Sequence, residues 1–280
     1  MTHADRFLLA GVMGFPVMHS RSPRLHHYWL ARYGLTGAYL PLAIPRERLG
    51  AALRALPALG FAGCNLTIPH KEGALDLLDE VDPLARRIGA VNCVVVRPDG
   101  SLVGANYDVF GYIESVREAK PDWRADAGPV VVIGAGGGAR AVLVGLIEQG
   151  ARDVRLVNRT PARAKELERS LGRPIAAVEW RNRERALEGA AMLINTTSQG
   201  MVGEPALDLP LDRLPMSALV SDIVYIPRET PLLAAARSRG NPTIEGLGML
   251  LHQARPAFHA WFGIMPEVTG ELRALMEAGK

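Results

Sequence analysis

The sequence predicts an α/β fold divided into two domains. Along most of the chain, segments rich in branched apolar residues alternate with segments of helical composition, a pattern typical of strands joined by helices. With 280 residues and 48% hydrophobic content, the chain can build a large core, and its length favours two domains over one. The clearest unit is the segment 130–150, where an apolar strand, a glycine-rich turn and a helix follow one another.

Composition and charge exclude several classes of protein. The formal net charge of +3 is spread without blocks of one sign, so the sequence pI near 9.0 does not indicate nucleic-acid binding. Cys64 and Cys93 form neither a metal-ligand spacing nor a disulfide framework, which is consistent with a reducing compartment. No apolar run reaches the ~18 residues of a membrane span, and the N-terminus lacks a signal-peptide pattern. We therefore expect a cytoplasmic protein without nucleic-acid or membrane partners.

The first predicted strand, 7–13, leads into a loop that carries two serines. Ser20 and Ser22 flank one residue, so that in an extended loop both hydroxyls face the same side and can hydrogen-bond a small carboxylate. Helix capping by Ser22 is the structural alternative. The histidines of this region lack carboxylate or cysteine partners at metal-ligand spacing, and we expect no metal site.

A lysine after the next strands is the first candidate for proton transfer. The pattern predicts a helix over 25–33, a strand over 38–42, a helix over 45–59 and a short strand that ends at Thr67. Lys71 then starts a predicted helix, 72–78. A cation at a helix N-terminus opposes the helix dipole, which should loosen its proton and suit it to acid–base work. An ordinary surface lysine is the alternative.

A carboxylate follows a predicted hairpin. The pattern predicts a helix over 82–88, strands over 89–97 and 101–104, and a turn over 98–100 between them. Asp108 then opens a helix that runs to about Ala119. Asp108 is either the N-cap of this helix or a carboxylate held at a domain junction, because the segment 120–128 has the composition of a linker.

The glycine-rich turn predicts an anion site. The apolar strand from Val130 to Ile133 is followed by glycines at 134, 136, 137 and 138, and a helix is predicted over 139–149. Glycine lets the backbone turn sharply and approach a ligand, and the first helical N–H groups favour a bound phosphate. A glycine-rich loop without special purpose is the alternative.

The end of the next strand favours NADP over NAD. Asn158, Arg159 and Thr160 follow the strand 153–157, and Arg163 lies one helical turn later. At this position of a dinucleotide-binding fold, a carboxylate holds the 2′-hydroxyl of NAD, whereas arginine accepts the 2′-phosphate of NADP. A solvated surface pair is the alternative. Further strands are predicted at 193–194 and 219–220, and further helices over 246–262 and 266–278.

Several short motifs together resemble the shikimate dehydrogenase family. They are His-Ser-x-Ser-Pro at 19–23, Asn-x-Thr-x-Pro-x-Lys at 65–71, Gly-Ala-Val-Asn at 89–92, Asn-x-Asp at 106–108, Gly-Ala-Gly-Gly-x-Ala-Arg at 134–140, Asn-Arg-Thr at 158–160, and the segments 195–201, 222–225 and 245–254. Each motif is modest alone, but their order and spacing extend over essentially the whole chain.

The resemblance implies a substrate domain over 1–105, a Rossmann-type NADP domain over 106–240, and C-terminal helices over 241–280 that return to the first domain. It implies reversible, NADP-dependent reduction of 3-dehydroshikimate to shikimate, a step of chorismate and aromatic amino acid biosynthesis. Lys71 and Asp108 would be the catalytic pair. The residues implied around shikimate are Ser20, Ser22, Thr67, Asn92, Asp108, Tyr225 and Gln253. Those implied around NADP are Gly134, Ala135, Gly136, Gly137, Gly138, Asn158, Arg159, Thr160, Arg163, Thr196, Ser198, Ile223 and Gly246.

The chain departs from the family pattern at a few positions. Tyr107 replaces the usual threonine before Asp108, and His70 replaces the more usual aromatic residue before Lys71. Neither change removes a group that the chemistry needs, although both could alter the pocket wall. A quinate or quinate/shikimate dehydrogenase, and a catalytically silent NADP-binding sensor, are the alternative functions. The sequence leaves the oligomeric state open, with a homodimer as one possibility.

Overall fold

The structure is a computed structural model that describes residues 7–278. The described residues form two compact units. The first contains the chain up to Tyr107 together with the residues from Leu251 onward, and the second contains Asp108–Leu250. Each is an α/β unit, so the predicted fold class is confirmed.

The first unit is built on a mixed six-stranded sheet. Its strands are β1 (Leu8–Gly14), β2 (Gly37–Ala43), β3 (Gly63–Leu66), β4 (Glu80–Val81), β5 (Cys93–Val96) and β6 (Leu102–Ala105). Its helices are α1 (Ser22–Arg32), α2 (Leu49–Ala55), α3 (Pro83–Ile88), most of α8 (Leu247–Phe262) and α9 (Gly270–Glu277). The strand order is β2-β1-β3-β5-β6-β4, and β5 runs antiparallel to both its neighbours. The loops that follow β1 and β3 therefore leave from one edge, since these two strands are parallel neighbours.

The second unit has an all-parallel six-stranded sheet. Its strands are β7 (Val130–Ile133), β8 (Val154–Asn158), β9 (Ile175–Glu179), β10 (Met192–Asn195), β11 (Leu219–Asp222) and β12 (Thr243–Ile244). Its helices are α4 (Asp108–Ala119), α5 (Gly137–Glu148), α6 (Pro161–Leu171) and α7 (Pro231–Ser238), together with the start of α8. The order β12-β11-β10-β7-β8-β9 is that of a dinucleotide-binding Rossmann fold, with its switch point between β7 and β10.

Burial explains why these strands lack polar alternation. All four residues of β7 are buried, as are all four of β10, because helices cover both faces of a parallel sheet. The core beneath them contains Val131, Leu193 and Val220. A central sheet of this kind holds the loops at its carboxyl edge in fixed positions, which is where ligands bind in this fold.

The unit boundaries differ from the predicted domain boundaries. The chain remains in the second sheet beyond residue 240, because β12 pairs with β11 through Thr243 opposite Val220 and Ile244 opposite Ser221. The second unit consequently extends to Leu250. At the other boundary, Tyr107 belongs to the first unit and donates its N–H to Asn92 Oδ1 at 2.8 Å.

The helix predicted over 72–78 is wrong. Only a 3-10 turn forms there, over Leu75–Leu77. Gly73 disfavours a helix, and the carbonyl of Lys71 accepts the N–H of Val91 at 2.7 Å instead of serving a helical amide. The argument that a helix dipole acts on Lys71 therefore fails. The helix predicted over 45–59 is also shorter than expected, since α2 ends at Ala55.

Candidate active site

The two predicted serines lie where β1 passes into α1. The N–H of Ser22 lies 3.3 Å from Ser20 Oγ, to which it donates, and Ser22 is buried. Ser22 is the first residue of α1 and Arg21 occupies the N-cap position, where no side-chain cap is formed. The structure therefore does not show Ser22 as the cap of this helix.

The loop after β3 holds Thr67 and Lys71. Its backbone is fixed at both ends, because Thr67 donates to the Met13 carbonyl at 2.9 Å while the Lys71 carbonyl accepts from Val91. His70, between them, is buried, and its Nε2 lies 2.8 Å from the carbonyl of Ile44. Burial lowers the pKa of His70, although the bond to Ile44 opposes this shift. A neutral imidazole thus anchors the peptide that carries Lys71.

Asn92 is held by hydrogen bonds through both its side chain and its backbone carbonyl. Its side chain accepts from the Tyr107 N–H at 2.8 Å and donates to Gln253 Oε1 at 3.3 Å. Its carbonyl accepts from the side chain of Asn65 at 3.0 Å and from the Leu66 N–H at 2.9 Å. Asn92 and Gln253 are buried. The fold therefore brings two predicted ligands into direct contact although they lie far apart in sequence.

Asp108 is the first residue of α4 and is buried, with 3% of its surface exposed. It directly follows Tyr107, whose backbone is held by Asn92. Tyr107 itself is half-buried, and burial raises its pKa to about 12, with Cys93 and Asp82 adding to the shift. Its phenol is therefore un-ionised at neutral pH.

In the second unit, the glycine loop after β7 is a tight backbone turn against the loop after β10. Gly134 has φ of +112°, and a Cβ at this position would lie 2.6 Å from Thr196 Oγ1. Thr196 in turn donates its hydroxyl to the Ile133 carbonyl at 2.7 Å. Only glycine fits, and the loop and Thr196 are held together at the switch point of the sheet.

The same loop leaves room for a ligand at Gly136. A Cβ on Gly136 would meet no atom within 4 Å among the residues that the structure describes, so protein packing does not demand a glycine here. Gly136 precedes α5 as its N-cap and provides no side-chain cap. An open glycine before the free N–H groups of a 12-residue helix fits the phosphates of a dinucleotide.

The end of β8 carries the predicted residues for the cofactor's ribose. Asn158 donates its side-chain amide to the Thr160 carbonyl at 2.9 Å, which closes the turn into α6. Arg159, Thr160 and Arg163 are exposed. Their side chains therefore lie on the surface, in contrast to the buried residues of the first unit.

A third segment with predicted cofactor residues lies after β11. A Cβ on Gly246 would come within 2.5 Å of the carbonyl oxygens of both Ile223 and Val224, so these two segments pack backbone to backbone. A Cβ on Gly138 would lie 2.8 Å from Ile223 Cδ1, which places Ile223 beside the glycine loop. Tyr225 follows as a half-buried residue, and Ser198 is exposed.

A buried carboxylate supports this segment and was not among the predicted site residues. Asp222 accepts from the Val224 N–H at 2.9 Å, from the Thr230 hydroxyl at 2.8 Å and from the Asn195 side chain at 3.0 Å. Burial raises the pKa of Asp222 to about 6, although these hydrogen bonds oppose the shift. Its place as a carboxylate at the end of a buried strand, in the motif 222–225, was the available signal.

Neither a metal cluster nor a membrane-spanning helix is found among residues 7–278. No group of three or more His, Cys, Asp or Glu side chains in this range could hold a metal ion. No helix of the described chain combines the length and apolarity needed to cross a bilayer. Of the histidines at positions 19, 26 and 27, His26 lies in an aromatic cluster and His27 accepts the Tyr39 N–H.

Comparison with known proteins places the whole chain in one family. Three family profiles match it: the shikimate dehydrogenase substrate binding domain over residues 12–94, shikimate/quinate 5-dehydrogenase over 118–206, and the shikimate 5′-dehydrogenase C-terminal domain over 246–276. The chain is 58% identical over 270 residues to the shikimate dehydrogenase (NADP(+)) of Rhodospirillum rubrum, with 95% of each chain covered.

Solved structures agree with this result. The fold is similar to that of Thermus thermophilus shikimate 5-dehydrogenase in complex with NADP(H) and shikimate, with a TM-score of 0.85, 37% identity and 98% of each chain covered. It is also similar to Corynebacterium glutamicum quinate dehydrogenase in complex with NAD, with a TM-score of 0.87, 33% identity, and 97% and 98% of the two chains covered. The chain therefore belongs to the shikimate dehydrogenase family.

Proposed function

We propose that this protein catalyses the NADP-dependent, reversible reduction of 3-dehydroshikimate to shikimate, a step of chorismate and aromatic amino acid biosynthesis. The observation that carries the proposal is the similarity over nearly the full length to the Rhodospirillum rubrum enzyme. The glycine loop and the exposed arginines of the second unit, and the buried polar cluster of the first, support it.

In this proposal five of the shikimate-binding residues belong to the first unit: Ser20 and Ser22 hold the carboxylate, and Thr67, Asn92 and Gln253 take the ring hydroxyls. Tyr225 and Asp108 are the other two proposed substrate residues. The mutual hydrogen bond of Asn92 and Gln253 supports their role, because it fixes both amides before substrate arrives.

NADP would be held by the second unit. The backbone of Gly134–Gly138, including Ala135, would receive the phosphates, while Arg159 and Arg163 would pair with the 2′-phosphate beside Asn158 and Thr160. Thr196, Ser198, Ile223 and Gly246 would line the remainder of the site. When bound, NADPH supplies the hydride that reduces the substrate carbonyl, and NADP accepts it in the reverse direction.

Lys71 and Asp108 would handle the proton. The alcohol oxygen must lose a proton during oxidation and gain one during reduction, so one group has to act as base and acid in turn. The Lys71 amine serves this role, on a peptide that His70 and Val91 hold in place. The Asp108 carboxylate orients the ammonium and a substrate hydroxyl. Lys71 alone is thus sufficient to transfer the proton in this proposal.

We also place the protein in the cytoplasm, with a homodimer as one candidate assembly and the oligomeric state left to measurement. Cys64 and Cys93 are buried and free. They lie opposite Val94 and Asn65 on adjacent antiparallel strands, so their side chains point to opposite faces of the sheet. A disulfide between them is disfavoured, which suits a reducing compartment. Sedimentation of the purified chain would measure its mass in solution.

A spectrophotometric assay tests the proposed function. Purified protein is given shikimate or quinate with NADP or NAD, and reduced cofactor is followed by its absorbance. Shikimate with NADP should give the highest kcat/KM of the four combinations. A higher kcat/KM with quinate would assign the protein to quinate dehydrogenases, and binding of NADP without turnover of either substrate would make it a silent sensor.

A further inference from the structure

Tyr39 begins a chain of buried polar contacts that leads to the proposed substrate site. It lies on β2, is fully buried, and donates its hydroxyl to Asn65 Oδ1 at 2.7 Å. The Asn65 side chain donates in turn to the Asn92 carbonyl at 3.0 Å, and the Asn92 side chain donates to Gln253 Oε1 at 3.3 Å. All four residues are at most 9% exposed.

The Tyr39 ring is held rigidly by aromatic neighbours from two helices. It stacks face to face on His26 of α1, with 4.0 Å between ring centroids and 1° between planes. Trp261 of α8 packs against it at 6.0 Å and donates its indole N–H to the Val94 carbonyl at 2.9 Å. Because the ring cannot shift, the position of its hydroxyl is fixed relative to α1 and α8.

This fixed hydroxyl holds the Asn65 amide in place. The Asn92 carbonyl can only accept a hydrogen bond, so it sets the orientation of the amide, with the Asn65 NH₂ group towards Asn92 and Oδ1 towards Tyr39. Tyr39 donates its hydroxyl to this oxygen of a buried residue. Without the hydroxyl the oxygen loses this donor, and the support that Asn65 gives to the Asn92 peptide is weakened.

We propose that Tyr39 is a positioning residue for substrate binding, which acts through Asn65 to orient Asn92 and Gln253. Asn65 is likewise a positioning residue, because both ends of its amide bind protein groups. The inference rests on the proposed function, in which Asn92 and Gln253 bind shikimate. It adds two residues, neither of which is among the proposed ligands, to the groups that set shikimate affinity.

Tyr39→Phe tests the proposal, because it keeps the stacked ring and removes only the hydroxyl. We expect the KM for shikimate to rise about threefold to tenfold, the fold-change that corresponds to one lost buried hydrogen bond. The KM for NADP should stay within about twofold, since its proposed residues lie in the other unit. A general loss of folding would instead lower the active fraction without this selective change in KM.

Tyr28→Phe is the matched control. Tyr28 lies on α1, two residues after His26, and its hydroxyl bonds Thr269 Oγ1 and Glu271 Oε2 outside the chain of contacts. This variant should keep the wild-type KM for shikimate. An equal rise in both tyrosine variants would overturn the proposal, because it would show a general effect of hydroxyl loss.

A double variant distinguishes the proposed effect from a folding defect of the Tyr39→Phe variant. Replacing Tyr39 leaves the buried oxygen of Asn65 without this donor, whereas Tyr39→Phe with Asn65→Ala removes both partners. If the two residues act in series, the double variant should have the same KM for shikimate as Asn65→Ala alone. Additive increases, or a wild-type KM in Tyr39→Phe, would overturn the proposal. Failure of the wild-type enzyme to oxidise shikimate would instead contradict the proposed function itself.

Discussion

The two units present their proposed ligand-binding groups in opposite ways. In the first, Asn92, Gln253 and Ser22 are buried, and Asn92 bonds directly to Gln253. In the second, the phosphate-binding groups are backbone amides of a glycine loop, and Arg159 and Arg163 project from the surface. In the proposed function, substrate selection thus depends on buried side chains, while the choice between NADP and NAD depends on exposed ones.

This difference predicts how each function responds to mutation. A buried amide that loses its partner is left unsatisfied, which costs stability as well as affinity. An exposed arginine can be truncated with little effect on stability, because surface ion pairs contribute about 0–1 kcal/mol. Substrate and cofactor specificity should therefore be separable by mutation, and only changes in the first unit should carry a large stability cost.

Lys71→Ala should have the largest effect on catalysis. Loss of the proposed proton carrier should lower kcat by ~10²–10⁴ while shikimate binding changes within a few fold. Single-turnover rates would measure the catalytic step, and binding of shikimate to the enzyme–NADP complex would measure substrate affinity separately. Lys120→Ala, which removes an exposed lysine paired with Asp122, is the control. A normal kcat in Lys71→Ala would leave the mechanism without its proton carrier.

Asp108→Asn should also lose most of the rate, because it keeps the shape of the side chain but removes the charge that orients Lys71. The double variant with Lys71→Ala should be little slower than the poorer single one, since the two groups act as a unit. If Asp108 served only as a helix cap, the variant would instead show a normal kcat and a lower melting temperature. Steady-state rates and melting curves of the same samples decide between these outcomes.

Arg159→Ala combined with Arg163→Ala should change cofactor choice. Each charge-assisted contact with the 2′-phosphate contributes on the order of 1.5–3 kcal/mol, so kcat/KM for NADP should fall more than tenfold while that for NAD changes little. The control is Arg169→Ala, which removes an exposed arginine on the helix that also carries Arg163. Equal losses with both cofactors would show that the arginines do not recognise the 2′-phosphate.

The smallest expected effect concerns the pH dependence of stability. The pKa of Asp222 is about 6 in the fold, above the ordinary value of about 3.9, so the folded state holds this proton more tightly than the unfolded state. The contribution of protonated Asp222 to the free energy of unfolding is therefore fully present below about pH 4 and is lost as the pH rises to about 6. The loss amounts to roughly 2–3 kcal/mol.

The side chain in the Asp222→Asn variant cannot ionise, so this variant should not show the loss of stability with rising pH. Its stability relative to the wild type should therefore increase between pH 4 and pH 6, as urea denaturation at a series of pH values would measure. Asp212→Asn removes an exposed carboxylate and controls for the change in net charge. A constant difference between Asp222→Asn and wild type across this range would contradict a buried, raised pKa.

The sequence predicted the elements that carry the second unit's proposed site because those elements are consecutive in the chain. The strand, the glycine turn and the helix are consecutive, and the position of Arg159 after the next strand follows from the same repeat. The prediction of a helix at 72–78 was wrong because a contact distant in sequence competes with that helix. The Lys71 carbonyl accepts the N–H of Val91. Sequence periodicity contains no information about such a partner.

The supporting contacts of the first unit were not predicted for the same reason. Tyr39 of β2 meets Asn65 of β3 although β1 lies between these strands, and Asn92 meets Gln253 of a helix near the C-terminus. Asn65 was visible as part of a motif, but its partners were not. Asp222 was visible in the same way, and its burial and three donors became evident only in the fold.

Thermal melting of two variants, each with and without ligands, tests the contrast between the units most directly. Asn92→Ala should lower the melting temperature of the ligand-free protein and lose the stabilisation by shikimate, because it empties a buried hydrogen-bonded position. The Arg159→Ala/Arg163→Ala variant should melt like the wild type without ligand and lose only the stabilisation by NADP. Equal destabilisation of both ligand-free variants, or loss of NADP stabilisation in neither, would contradict the account.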